Sequence, residues 1–265
     1  MNAGGPGTDP AHAASCAPGG SGRPATGGSV PSTDRRDASL AAIGTDPLRD
    51  ALLGARLDLA ELLSAAIAAE QLGPRAYLRW IAAERALCAT GAASLRRMAA
   101  RLGGAARPLL DGAADTLSEQ AAMAAADLRR TDGMVSANGL VAVDHWRDYH
   151  DIHAGRRPGL ALGLVALHAG IAGGPARASL SAVLELPFLP LRGATYLVHR
   201  QLQAAAQADT FAGLWSRVPA AVQGDLLAGA RHGVSLYWEV VRAALAIPAE
   251  AQGWRWSDRR RDGAA

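Results

Sequence analysis

Lysine is missing altogether, so all 27 basic side chains are arginine. This reads as a coding bias and carries no functional weight. Against 24 carboxylates they leave a net charge of +3. That excess is too small and too evenly spread to argue for a phosphate-binding surface, although Arg129-Arg130, Arg156-Arg157 and Arg259 to Arg261 form local clusters. Nucleic acid is therefore not an expected partner. Cysteine is nearly absent: Cys16 and Cys88 alone exclude a disulfide framework and a thiolate metal site, and they agree with a reducing, cytoplasmic setting. The first residues lack the charged head and apolar run of a secretory signal, which points the same way. The apolar run at residues 160–172 is shorter than the ~20 residues a membrane span needs, and reads as a buried core helix with a membrane hairpin as the alternative. Several signatures are missing too: no Glu-x-x-His pair, no His-Glu-x-x-His zinc helix, no phosphate-binding glycine loop and no Gly-x-Ser-x-Gly elbow.

What remains is a chain of 265 residues, 49% hydrophobic and 5% aromatic, dominated by alanine and leucine. Few β-branched residues and many strong helix formers predict an all-α fold. Residues 1–40 are rich in Gly, Pro, Ser, Thr and Ala and hold almost no large apolar side chains, so they read as a disordered arm. A single helical bundle of about seven to eight helices is expected over 46–248, followed by a loose aromatic-basic tail at 249–265.

The individual helices follow from periodicity and punctuation. Pro47 opens the first, with Leu48, Leu52, Leu59, Leu62 and Leu63 at helical spacing and a stop near Gly73. Pro74 opens a second that runs to Leu102, and a third follows Pro108 to Leu128, closed by Asp132-Gly133. A fourth is predicted from Leu140 to His153, a fifth over Leu160 to Ala172, and the last two over Tyr196 to Ala208 and Pro219 to Ile247. Pro187 and Pro190 make the segment ELPFLPLRG a kinked connection.

The densest polar stretch is VDHWRDYHDIH in the fourth helix. Residues three or four apart share a helix face, so His150 and His153 can point together, with Asp144 and Asp148 as a second pair. Two imidazoles plus carboxylates from facing helices suit iron, manganese or zinc; the competing reading is a solvated polar helix end. Further ligands would come from buried polar residues elsewhere: Glu84 first, between apolar neighbours on the second helix, then His168 and His199. An unpaired imidazole in the apolar 160–172 helix would be costly, so a His168 with a hydrogen-bonding partner and no further role is the plainer account.

PRAYLRWIAAE resembles the second-helix pattern of the heme oxygenase-like superfamily, compact all-α domains that include heme oxygenases, TenA-type thiaminases and non-heme di-iron oxidases. ADLRRTDG is similar to its acidic-leucine turn, and LGLVALHAGIAGG to the glycine-rich distal helix of bacterial heme oxygenases. Residues 48–72 contain no histidine where a heme ligand would fall, so heme is not expected. For the non-heme members the resemblance implies a central carboxylate and histidine cluster, here Glu84, Asp148, His150, His153 and His168, holding iron or manganese.

The expected function is a metal-dependent oxidase or biosynthetic enzyme acting on a small hydrophobic substrate, in a pocket lined by Leu160 to Ala172 and the last helix. The alternative is a non-enzymatic helical domain that binds a hydrophobic ligand or a partner protein, with membrane association through residues 160–191 as a further possibility.

Overall fold

The structure is a computed structural model, described for residues 47–247 apart from 103, 132–136, 138, 190–192 and 216. The expected arm and tail, and with them Cys16, Asp132-Gly133 and Arg259 to Arg261, lie outside the described residues. The described residues form eight α-helices and no strand: α1 (Pro47–Ala68), α2 (Pro74–Leu102), α3 (Arg107–Arg130), α4 (Val141–Arg156), α5 (Pro158–Gly170), α6 (Ala176–Leu184), α7 (Thr195–Trp215) and α8 (Ala220–Leu245). One 3-10 turn, Gly104–Ala106, leads into α3.

Most of the expected helices appear with their signals intact. Proline begins α1, α2 and α5 and stands just before α8, where its fixed φ suits the first helical turn and its missing N–H costs nothing. The end of α1 falls at Ala68, earlier than the expected Gly73, because Glu70 adopts a left-handed conformation (φ 54°) that no helix continues through. α6 is a helix that periodicity did not announce. It is nine residues long, and Ala176, Ser179, Leu180 and Val183 form its buried stripe.

α5 is the axis of the bundle. Every residue from Gly159 to Gly170 is buried, which explains a composition that is apolar apart from His168: a helix surrounded on all sides needs no polar face. Among the described residues no helix is long and apolar enough to cross a membrane. Around α5 stand α4, α7 and α8, while α2 packs along α3 and also reaches α4 and α8, and α1 pairs with α6.

The tightest contact is α5 against α8. A Cβ on Gly163 would overlap the Leu226 carbonyl, and one on Gly229 would overlap the Leu160 carbonyl. Glycines on both helices thus bring two backbones into direct contact, closer than any side chain would allow. This corrects one expectation. The face that was to line a substrate pocket, Leu160 to Ala172 against the last helix, is closed by that packing rather than open.

Gly163→Ala and Gly229→Ala are each expected to lower stability in urea denaturation by about 1–3 kcal/mol or more, the cost of forcing atoms into a filled interface. Gly54→Ala, on an exposed face of α1 with no atom within 4 Å of the added Cβ, should raise it by about 0.5–1 kcal/mol. Equal effects at Gly163 and Gly54 would refute the close approach of α5 and α8.

Candidate functional site

Glu84 is fully buried on α2, and side chains from four helices, α2 itself, α5, α7 and α8, converge on its carboxylate. One turn back on the same helix, Trp80 donates its indole N–H to Oε1 at 3.0 Å, and Tyr237 of α8 donates its hydroxyl to the same oxygen at 2.6 Å. The other oxygen accepts Tyr196 Oη of α7 at 2.7 Å and His168 Nε2 of α5 at 2.9 Å, and it is paired with the Arg200 guanidinium. Arg200 lies one turn beyond Tyr196, so its Nη1 also donates to the Tyr196 hydroxyl at 2.6 Å, while Nη2 donates to the His168 carbonyl at 2.9 Å. Cys88, one turn beyond Glu84, approaches Tyr196 Oη at 3.7 Å and Gln120 at 3.8 Å.

This geometry sets the protonation states. Burial alone would raise the Glu84 carboxyl, but the Arg200 guanidinium and the hydrogen bonds from His168 and Tyr237 overcome it and hold it well below the usual carboxylate range. An ionised carboxylate only accepts, so His168 must carry its proton on Nε2. Burial and Arg200 lower the His168 pKa, which keeps the ring neutral although Glu84 acts in the opposite sense. Burial pushes the Cys88 thiol up to about 12, so it stays protonated and unreactive.

Trp146 links this centre to a second buried histidine. Its ring lies 5.5 Å from His168 and 5.7 Å from His150, centroid to centroid. His150 shares a hydrogen bond with Ser94 Oγ at 3.1 Å through Nδ1. Nε2 of His150 and Nε1 of Trp146 are buried and have no hydrogen-bond partner among the described residues. An unmatched buried polar atom costs about 1–3 kcal/mol, so this end of the centre is the less stable one. Burial first, then His168 and Arg97, push the His150 pKa down to about 3.

Of the residues expected to form a metal cluster, the structure brings Glu84 and His168 into contact and sets His150 beside them. Asp148 and His153 are elsewhere. Asp148 is exposed, and His153 is half-buried against Tyr149, 4.5 Å from ring to ring, on the side where Tyr149 also stacks on His232. The physical reason is phase: positions three apart on a helix differ by about 60°, enough here to put His150 in the core and His153 at its edge. Among the described residues no group of three or more His, Cys, Asp or Glu is placed to hold a metal ion. More decisively, both Glu84 oxygens already accept several donors, and Arg200 supplies a fixed cation where iron or manganese would have to sit. The side chains as arranged do not fit a metal centre.

An open site lies apart from this core. Between α1 and α7 is a cleft of about 300 Å³, its walls formed by Leu48, Leu52, Ala205, Ala208 and Ala212, with Gly173 and Gly174 also lining it. Arg49, Arg56 and Asp209 line it as well.

No protein-family model matches the chain, and no curated protein or solved structure does so either.

Apart from His168, the partners of Glu84 (Trp80, Tyr196, Arg200 and Tyr237) were not singled out from the sequence. The signal for one of them was there: Tyr196, Arg200, Ala204, Gln207 and Phe211 make one buried stripe on α7, and an arginine inside an apolar stripe requires a counter-charge. Glu84, flanked by buried Ile81, Leu87 and Cys88, is the matching acid.

Arg200→Met should cost about 3–5 kcal/mol in urea denaturation, since it leaves a buried charge alone. Tyr237→Phe, which removes one of several donors, should cost about 1.5–3 kcal/mol; equal losses would contradict the role of Arg200 as counter-charge. A histidine held neutral binds fewer protons in the folded chain than in the unfolded one. The stability contributed by His150 therefore falls as pH drops below its unfolded value of 6.5 and continues to fall to about 3. Between pH 6.5 and 4.5, above the range where Glu84 contributes, His150→Asn is expected to reduce the pH slope of stability by ~1.4 kcal/mol per pH unit. An unchanged slope would mean that His150 is accessible to protons when folded.

Proposed function

We propose that this chain is a non-enzymatic helical domain that binds a small hydrophobic molecule, and that its binding site is the cleft between α1 and α7. The observation that carries the reading is the Arg200 guanidinium on Glu84. A carboxylate and imidazole centre built for oxygen chemistry keeps its acid available to a metal and a coordination position open to substrate. Here a neutralising cation and four further donors close the acid off, and the packing of α5 on α8 leaves no approach to it along the face expected for substrate. The polar centre then serves as the internal frame of the bundle.

The cleft has what the core lacks. Its size falls at the lower end of the range for small-molecule sites, about 300 Å³ and upward, and its walls are mostly leucine and alanine side chains with a small number of polar groups among them. Ala205 is exposed and lines it, so a large side chain there fills the cleft without entering the core.

Two measurements test the proposal together. A neutral naphthalene fluorophore is expected to bind the full chain with a blue-shifted emission, and Ala205→Trp is expected to abolish that binding while leaving the helical circular dichroism intact. Metal analysis after reconstitution with iron or manganese is expected to find substoichiometric metal. A stoichiometric metal that disappears in Glu84→Gln would overturn the proposal in favour of the oxidase, and dye binding insensitive to Ala205→Trp would remove the cleft as its site.

A further inference from the structure

Resting on the reading of the α1/α7 cleft as a binding site, we infer that its ligand is an α-amino acid with an apolar side chain. The carboxylate lies on the Arg56 guanidinium, the ammonium group on Asp209, and the side chain against the leucine and alanine walls.

Arg56 is held by the main chain. Its Nε donates to the Gly170 carbonyl at 2.9 Å, at the point where α5 ends. This places its two Nη groups over the glycine turn that follows: a Cβ on Gly173 would come within 3.2 Å of Nη2, and one on Gly174 within 3.6 Å of Nη1. Gly174, with φ at +54°, takes a backbone conformation that suits glycine, so the turn and the arginine fit one another. Neither Nη group has an acceptor among the described residues, although the side chain is half-buried and lines the cleft. A guanidinium fixed through Nε and open at both Nη groups is preorganised for a carboxylate.

The second charge has the opposite sign. Asp209 lines the cleft from α7, one turn beyond Ala205. Its carboxylate acts on Arg56 through space, with no hydrogen bond or ion pair between the two, and it has no such partner elsewhere among the described residues. Burial first, then Arg49, lower the Arg56 pKa, and Asp209 raises it. Arg49 also lines the cleft but has an interaction of its own, so recognition falls to one guanidinium and one carboxylate.

That pair discriminates by charge pattern rather than by net charge. A monoanion on Arg56 meets Asp209 as a like charge, and a monocation on Asp209 meets Arg56 in the same way. An uncharged hydrocarbon removes water from both groups and returns nothing to either. A zwitterion satisfies both and brings no net charge. In an α-amino acid the carboxylate, the ammonium group and the side chain leave one carbon atom, which suits a cleft where two opposite charges stand among aliphatic walls.

The experiment is calorimetric titration of the full chain with leucine, isocaproate (leucine without its amino group) and isoamylamine (leucine without its carboxylate). Leucine is expected to bind about tenfold or more tightly than either, the difference made by the second charge-assisted contact. Arg56→Met should bring leucine down to the level of isoamylamine. Asp209→Asn, at an exposed position, should bring leucine down to the level of isocaproate without weakening isocaproate, which keeps the test decisive if Arg56→Met fails to fold. Glu119→Gln, an exposed acid on α3 that does not line the cleft, should change neither.

Isocaproate binding as tightly as leucine, with Asp209→Asn silent, would overturn the ammonium contact and with it the amino acid. Isoamylamine binding as tightly as leucine would overturn the carboxylate contact with the same consequence. Leucine failing to bind while the naphthalene fluorophore still binds and is lost in Ala205→Trp would overturn the amino acid and leave the hydrophobic cleft. Failure of both leucine and the fluorophore would overturn the cleft itself.

Discussion

The ion pair between Glu84 and Arg200 is the constraint around which the bundle is organised. Neither charge is tolerable alone in an interior from which water is excluded, so the two must meet, and meeting fixes the separation and rotation of α2 and α7. Their remaining hydrogen-bonding capacity then recruits a side chain from each neighbour: Tyr237 from α8, His168 and its carbonyl from α5, Trp80 from α2 itself. Apolar packing would accept many registers among helices as rich in alanine and leucine as these. A hydrogen-bonded centre with directional donors accepts few, and this is the specificity the polar core contributes even where its net stabilisation is small.

Glycine acts on α5 in two different ways. At Gly163, packed on the Leu226 carbonyl and the Ala230 backbone of α8, the lack of a side chain allows backbone contact and closes the face expected to line a pocket. At Gly173 and Gly174, just past the end of the helix, the same lack leaves room for the Arg56 guanidinium to lie on the main chain at the edge of the cleft. The closed core and the open cleft are therefore the two ends of one design. The axis helix meets the backbone of α8 at Leu160 and Gly163, and the cleft lies beside the turn that follows its C-terminus.

Much of the fold was legible in the residues. The leucine spacing of α1, the prolines that begin α1, α2 and α5, and the run of α5 that is apolar except for His168 each pointed to the element that formed, because these signals act within one or two helical turns. α6 escaped notice since nine residues give periodicity little room. The candidate site was legible only in part. Glu84 and His168 stood out as polar groups in apolar stripes, and they do touch. The polar run of α4 pointed to Asp148 and His153 as well, and there local spacing misled: the groups are near in sequence, but only His150 turns into the core.

By itself the sequence determined an all-helical bundle, the approximate limits of most of its helices, and the presence of a few polar residues whose burial would demand partners. These follow from propensity, periodicity and the cost of an unpaired charge, all of which can be read along one chain. Only the tertiary structure decided which partners those residues found. It paired Glu84 with an arginine 116 positions away rather than with the acids and imidazoles of α4, closed the expected pocket at Gly163 and Gly229, and opened another between α1 and α7. The reason is that pairing between helices depends on their packing angle and rotation, quantities set by all the contacts of the bundle together and by no single segment of the sequence.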